Sequence, residues 1–526
     1  MSDSKQLRVF KFGGTSVLDA DRIFKVVELV SPAVREGISP IVVVSAFGGV
    51  TDRLLEMAEL ATAGDPGWEE ALKEIEERHR ATLDRLAEDH VRDELDARIS
   101  GAVEELEKLG RGISLVGECS RRIGDRLLSF GERLSAPLVA AAFRTRGVDA
   151  DAVDAREIVV TDDNFGAARV LREETEERAR KRLGKPGPVR VVTGFLGATV
   201  DGETTTLGRG GSDYTATLLG AALKVDRVEI WTDVDGIMSA DPRIVPDAFS
   251  LEAVTYDELL ELSHLGAKVV APLSVHPVRE RKVPLLIRNT LNPSFPGTRV
   301  VSEPDRDTGD PVRGISAIHD VVLLRLENVE RVGLMETAER LFGALRRRGI
   351  DLLLYTQDSS GHNLSFAIKP EDLRAAREAA RDEFDRERRA GLLGDLVAES
   401  RRSVVAVVGE GMRETPGVAA QLFDVLGAEG VNIHAIAQGS SERNISCVIT
   451  AGDEGRTLRA VHAAFFRDPS VVRIFVAGTG QVGSTFLSHL AALGPDMVPR
   501  PGLRLELAGV GRSTVAAATA GTMDPS

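Results

Sequence analysis

Residues 7–16 read Leu-Arg-Val-Phe-Lys-Phe-Gly-Gly-Thr-Ser, and the first half of the fold follows from them. Leu7–Phe12 is a short apolar run of strand length, stopped at once by the paired glycines Gly13 and Gly14. Residues 23–30 then show helical spacing, and residues 40–45 form a β-branched strand. The strand pattern returns at residues 191–193 and 227–231. Strands alternating with helices predict an α/β domain, a mostly parallel sheet sandwiched by helices. Residues 68–109 are highly charged with apolar residues at helical spacing, which predicts an exposed helical hairpin with a solvated charged face.

The glycine pair also carries chemistry. Glycines let the backbone approach a phosphate closely, and the N–H groups of a following helix start add donors. Lys11 supplies a mobile positive charge for a phosphoryl group in transfer. The lysine precedes the glycines, so this is not a Walker A loop, and an ordinary glycine turn would look similar. A second glycine-rich loop, Leu207-Gly208-Arg209-Gly210-Gly211-Ser212-Asp213, offers an Arg209 fork for a carboxylate and an Asp213 that could orient Lys11 or a metal-bound nucleotide. Glu132, in Phe130-Gly131-Glu132-Arg133, suits a substrate ammonium or simply faces water at a helix start. In Ser45-Ala46-Phe47-Gly48-Gly49-Val50-Thr51 the hydroxyls either hold a substrate or, at Thr51, cap a helix. Trp231-Thr232-Asp233 ends a strand, where open α/β sheets carry their ligand crevice, with Arg243 close behind and Lys268 on a further helix.

The chain has 526 residues, 43% hydrophobic, with a mean hydropathy of −0.06, enough for three or four domains. Its 66 basic and 81 acidic residues leave a net charge of −15, which argues against nucleic-acid binding. No apolar run reaches the ~18 residues of a membrane span, and the polar start, Met1–Leu7, with no apolar region behind it, leads us to expect no signal peptide. Two cysteines, Cys119 and Cys447, exclude a disulfide scaffold and suit a reducing cytoplasm. The nine histidines show no metal-ligand spacing, so no protein metal site is expected.

Beyond a polar stretch at residues 302–314, read as a linker, the sequence repeats. Leu341, Gly349-Ile350-Asp351, Gln357, Asn363 and Ser365 recur 81 residues later as Leu422, Gly430-Val431-Asn432, Gln438, Asn444 and Ser446. Two copies of one small α+β unit are predicted, over residues 315–400 and 401–470, each in a βαββαβ-like order, with a helix at residues 370–389 between them. Residues 471–526 open with a strand, Gly478-Thr479-Gly480-Gln481-Val482-Gly483, an apolar helix and a second strand, which is the start of a Rossmann-type βαβ unit.

Together these motifs resemble the aspartate kinases of the amino-acid kinase family, in order and over nearly all of the first 470 residues, with residues 1–301 as the catalytic domain. The repeat is similar to that family's paired ACT domains. The resemblance implies phosphorylation of L-aspartate by ATP and Mg²⁺ to 4-phospho-L-aspartate, in lysine, threonine and methionine biosynthesis. It assigns Lys11 and Asp213 to catalysis, and Ser45, Thr51, Glu132, Arg209 and Ser212 to aspartate. Lys11, Gly13, Gly14, Thr15, Ser16, Thr232, Asp233, Met238, Arg243, Lys268 and Val269 fall to the nucleotide. Gln357, Asn432 and Gln438 fall to a feedback amino acid, threonine or alternatively lysine, in a homodimer or homotetramer joined through ACT domains. The chain departs from the family at Ala271-Pro272, where many members have a histidine before the proline, and at Met238, where an aromatic is common. The tail resembles the start of a homoserine dehydrogenase, cut before its substrate domain, so no dehydrogenase activity is expected of this chain alone. Two other readings remain: a kinase of glutamate, acetylglutamate or carbamate, and a silent amino-acid sensor.

Overall fold

The computed structural model describes residues 7–86, 89–266, 269–303, 310–328, 333–357, 363–466, 470–493, 503–512 and 515–518. The chain divides into two units, residues 1–238 with 250–306, and residues 239–249 with 307–526.

The first unit begins β1 (Leu7–Phe12), α1 (Ala20–Arg35), β2 (Ser39–Val44) and α2 (Val50–Thr62). Helices α3 (Gly67–Leu86), α4 (Asp89–Val116), α5 (Arg121–Leu128) and α6 (Phe130–Thr145) follow. Then come β3 (Ala150–Val153), β4 (Val160–Thr161), α7 (Arg172–Leu183), β5 (Val189–Thr193), β6 (Leu196–Thr199), β7 (Thr204–Thr206), α8 (Gly211–Leu223) and β8 (Val228–Thr232). It closes with β9 (Ala253–Thr255), α9 (Tyr256–His264), α10 (Pro272–Arg281), β10 (Leu285–Asn289) and β11 (Thr298–Val301). Eight strands form one sheet in the order β3-β5-β2-β1-β8-β10-β11-β9, parallel except at β10–β11. The expected α/β sheet is present, each anticipated strand within two residues of its reading.

Strand alternation explains how the sheet presents Lys11. Phe10, Phe12, Val42 and Val44 join the core formed with α1 and α6. Lys11 lies at the odd positions with Val9, so its side chain leaves the sheet on the opposite face. The hairpin α3–α4 is less exposed than its charge suggests. Trp68, Leu72, Ile75, His79 and Leu83 recur at helical spacing and are buried, while the outer face is laced by pairs such as Glu104–Lys108 and Glu107–Arg111.

The second unit contains β12 (Gly314–Asn328), α11 (Leu334–Arg347), β13 (Leu354–Gln357), β14 (Asn363–Ile368), α12 (Leu373–Glu383), α13 (Asp385–Arg389) and β15 (Leu393–Val408). It continues with α14 (Val418–Ala428), β16 (Ile433–Ala437), β17 (Asn444–Thr450) and α15 (Glu454–Phe466). Both repeats share one antiparallel sheet, β13-β14-β12-β15-β17-β16. The 81-residue offset is visible in the cores: Leu341, Ile350, Leu364, Phe366 and Ile368 in one match Leu422, Val431, Ile445, Cys447 and Ile449 in the other.

The units are not laid end to end, and the boundary expected at residue 400 falls inside β15. The start of that strand, with Leu393, closes the first core, whereas Val405 and Val407 line the second. Likewise Ile315 of β12 enters the second core and Val322, Leu324 and Leu326 the first. The two long strands pair along both halves and are broken by register shifts near Ile318–Leu323. Asp320 (φ 47°) and Arg401 (φ 57°) adopt the left-handed conformation at that break. The expected helix at residues 370–389 divides at Phe384 into α12 and α13. Residues 310–313, read as linker, pack on the second unit, with the Arg313 N–H donating to the Val408 carbonyl at 2.7 Å.

Residues 470–518 add β18 (Ser470–Ala477), α16 (Gln481–Leu493), β19 (Leu503–Arg512) and β20 (Val515–Ala518). β18 and β19 are parallel across the helix, the βαβ order the sequence predicts, and β20 returns antiparallel. A side chain at Gly483 would lie 1.8 Å from the Gly478 carbonyl oxygen, so glycine is sterically required at that position. Leu341→Ala and Leu422→Ala, at equivalent fully buried sites, should each destabilise the second unit by about 2–5 kcal/mol, measured by urea denaturation.

Candidate active site

The carboxyl ends of β1, β2 and β8 carry three loops locked together by backbone contacts. The Gly48 N–H donates to the Gly14 carbonyl at 3.0 Å, and a Cβ at Gly14 would lie 3.0 Å from the Ala46 oxygen. Ser16 hydrogen-bonds Thr290 through its hydroxyl at 2.8 Å, and the Thr290 N–H donates to the Thr232 carbonyl at 2.8 Å. The first glycine loop is thereby tied to β8 as well. Thr15 is exposed beside Gly13 and Gly14.

Lys11 reaches across from the sheet to α8. Its Nζ lies 2.5 Å from Asp213 Oδ1, both side chains only 11% exposed. A Cβ on Gly13 would come within 3.4 Å of this ammonium, so the bare loop passes directly by the charge. Ser212, one residue before Asp213, accepts from the Ser45 hydroxyl at 2.9 Å, so the ends of β2 and α8 meet. α8 itself starts from Gly210 in the left-handed conformation (φ 76°), where a Cβ would overlap Ala271. Ala271 thus sits against the second glycine loop. Arg209, between Gly208 (φ 73°) and Gly210, is exposed, and among the described residues it has no ion-pair partner. Its guanidinium is available for a ligand instead of closing a surface pair.

Glu132 is fully enclosed in α6. One carboxyl oxygen accepts the Ala46 N–H at 3.0 Å, and the other is buried without a hydrogen-bond partner among the described residues. Burial pushes its pKa from 4.5 up to about 8. The group is therefore a protonated acid at neutral pH that a neighbouring cation would ionise. Ser135, one turn on, donates to the Ser45 carbonyl at 2.8 Å. Thr51 lies in the first turn of α2, but the cap is Gly49 (φ 85°) with no side-chain hydrogen bond, so the capping alternative for Thr51 is set aside.

Beyond β8, Asp233 is exposed and accepts from the Thr232 hydroxyl at 3.2 Å. Asn289 and Asn292 donate to Asp235 at 2.8 and 3.1 Å and fix that turn. Met238 is half-buried at the end of it, bridged to Ser250, and Val269 is half-buried in a turn. Arg243 belongs to the second unit, where its exposed guanidinium closes on Asp241 at 2.6 Å. Lys268 lies outside the described residues. In the second unit, Gln357 ends β13, Asn432 precedes β16 and Gln438 follows it, all exposed at the ends of the two edge strands.

Three residues matter that sequence reading passed over. His79 of α3 is fully buried and stacks on Phe47, with ring centroids 4.7 Å apart and planes within 9°. Its Nδ1 meets the Ile75 carbonyl at 2.6 Å, which makes that nitrogen the N–H donor, and desolvation lowers the pKa to about 4. Arg78 donates to the Leu18 carbonyl at 2.9 Å. The charged hairpin therefore braces both loops, one by stacking and one by a hydrogen bond. The only signal in the sequence was a histidine at a core-facing helical position. Phe195 is the third: a non-glycine residue at φ 66°, packed against Gly211 at the start of α8.

Profiles of known families match at two places: the amino acid kinase family over residues 6–289 and an ACT domain over residues 330–384 and 405–465. The chain is 33% identical over 482 residues to aspartokinase 1, chloroplastic, of Arabidopsis thaliana, covering 89% of this chain and 82% of that protein. The chain is an aspartokinase family member. It is also 34% identical over 496 residues to bifunctional aspartokinase/homoserine dehydrogenase 2 of Arabidopsis thaliana, covering 92% of this chain but 53% of that protein. The chain thus spans about half the length of such relatives, aligned with their kinase part. Among solved structures, E. coli aspartokinase III in complex with aspartate and ADP superposes with a TM-score of 0.75 at 29% identity, over 87% of this chain and 99% of that one. A second E. coli aspartokinase III structure, in complex with lysine and aspartate, gives 0.68 over 88% of this chain.

Two outcomes follow from the geometry. Glu132 contributes stability that is fully present below about pH 4.5 and is lost as pH rises to about 8, because the folded state holds its proton more tightly. Glu132→Gln should therefore gain on the parent chain as pH rises through that window, read by thermal melts at pH 5 and 8. His79→Ala should destabilise by about 2–4 kcal/mol and raise the Michaelis constant of whichever substrate the Ser45–Thr51 loop holds, with His79→Phe, which keeps the stack, restoring both.

Proposed function

We propose that this chain transfers the γ-phosphoryl group of ATP to the side-chain carboxylate of L-aspartate. The observation that carries this reading is the Lys11–Asp213 pair at 2.5 Å, set beneath Gly13 and Gly14 and beside the Ser45–Ser212 contact, in a chain of the aspartokinase family. The attacking carboxylate is ionised at neutral pH, so no strong base is required, and the work is alignment and charge neutralisation. Lys11 neutralises the charge of the phosphoryl group in transfer, and Asp213 holds the ammonium in place. Gly13, Gly14, Thr15 and Ser16 provide the close backbone approach for the phosphates, while Thr232, Asp233, Met238 and Val269 bound the rest of the nucleotide. Lys268 keeps its nucleotide role on the resemblance alone, and so does Arg243.

Arg209 clamps the α-carboxylate of aspartate by its fork. Glu132, whose second oxygen has no partner of its own, takes the α-ammonium, and Ser45, Thr51 and Ser212 supply hydroxyls. The site fits a phosphate-bearing nucleotide; Mg²⁺, which prefers phosphate oxygens and water, would enter with it and screen the phosphate charge. The described residues offer no cluster of three metal-ligating side chains, so Asp213 and Asp233 are the carboxylates nearest that role.

The ACT match supports feedback control, with threonine the effector and lysine the alternative, Gln357, Asn432 and Gln438 the recognition residues and a homo-oligomer the working form. The E. coli aspartokinase III structure with lysine and aspartate supports the class of ligand. The 471–526 segment retains the glycine spacing of a dinucleotide-binding start, and two free thiols suit a reducing cytoplasm. No helix among the described residues is long and apolar enough to cross a membrane.

Trapping the acyl phosphate with hydroxylamine should give an aspartate- and ATP-dependent signal, reduced at least about 1,000-fold in kcat by Lys11→Ala; no signal with aspartate, against glutamate, acetylglutamate and bicarbonate in parallel, would sink the reading. Aspartate binding at pH 7 should also release a proton as Glu132 ionises against the ammonium. Calorimetry in buffers of different ionisation enthalpy reads this, and the release should shrink above about pH 8.

A further inference from the structure

Between α12, α13 and the first residues of β15, the second unit holds a solvent-open cavity of about 280 Å³ that no part of the kinase reading uses. That volume is at the small end of pockets that hold organic ligands. Its floor is apolar: Phe384 is fully buried and Leu326 is 3% exposed. Its walls carry three guanidinium groups, Arg377, Arg381 and Arg388, and one carboxylate, Asp395.

Arg388 is closed on Asp395. Arg377 and Arg381 are different. They stand four residues apart on α12 and therefore on the same face, where like charges repel. Among the described residues neither has a hydrogen-bond or ion-pair partner, although Arg340, Arg347, Arg348 and Arg389 around them all reach carboxylates, Arg347 at 2.6 Å and Arg348 at 2.8 Å. The cavity holds a surplus of two positive charges in a chain whose net charge is −15. Two forked donors over a low-dielectric floor suit a planar or tetrahedral oxyanion, which would take hydrogen bonds from both and remove their repulsion.

We propose that this cavity is a binding site for a small dianion, a phosphate monoester or a dicarboxylate, separate from the kinase site and from the Gln357 and Gln438 strand ends. Its occupant is recognised by charge through Arg377 and Arg381, and Phe384 and Leu326 pack beneath it.

The test is isothermal titration of the full chain with inorganic phosphate and, separately, with succinate, at fixed ionic strength, with ADP and aspartate saturating so that the kinase loops are filled. Saturable binding at one site per chain is expected, weakened at least about tenfold in Arg377→Gln/Arg381→Gln and unchanged in Arg386→Gln, an exposed neighbour outside the cavity. Phosphate binding alone identifies a phosphoester site, succinate alone a dicarboxylate site, and both a site that reads charge. All of the substituted residues are at the surface, so folding is retained and circular dichroism confirms it. Absence of saturable binding by either probe into the millimolar range, or equal weakening by Arg386→Gln, would overturn the proposal.

Discussion

The peptide groups of Gly14 and Gly48 lie against each other, and the whole site is built outward from that contact. A Cβ on Gly48 would lie 3.0 Å from the Gly14 oxygen, so neither loop can carry a side chain there without moving the other. With the loops in register, Ser45 reaches Ser212, Ala46 reaches Glu132, and Phe47 turns inward onto His79. The parity of β1 then sends Lys11 to α8, and Asp213 receives it. Each of these is a short-range consequence of a backbone approach that only glycine permits.

The residues at this junction are charged in unequal ways. Lys11 and Asp213 compensate each other, so their burial is sustainable; removal of either partner leaves an uncompensated charge at a cost of about 3–5 kcal/mol. Among the described residues Glu132 has no such partner and holds a proton instead, while Arg209 is exposed and pairs with no carboxylate. An amino acid carries the complementary pair, an ammonium and a carboxylate. On the proposed reading, charge complementarity at these two positions would select an amino acid.

Much of this was legible in the sequence because it is local. The strand–glycine–glycine motif gave β1 and its loop, and the helical period gave the α3–α4 hairpin, whose second helix runs on to Val116 beyond the expected end at residue 109. The 81-residue offset gave two cores with matching members. Three things were hidden because they depend on pairing across the chain. The exchange of halves between β12 and β15 leaves no trace in either repeat, since each strand half has an ordinary apolar pattern. His79, in the charged hairpin, carries no motif that marks it, and only the three-dimensional meeting with Phe47 gives it a role. Arg243, close in sequence to Asp233, proved to lie on a segment that packs with the second unit.

Strands β12 and β15 each contribute to two hydrophobic cores, and their pairing shifts register where Asp320 and Arg401 take left-handed conformations. A strand has a side-chain period of two, so a slip of one residue in either half would turn that half's apolar face out of its core. The sheet therefore behaves as a crossbar: each of the two strands lends one half to either core, so neither repeat can be excised without cutting a backbone that its twin's core is built on.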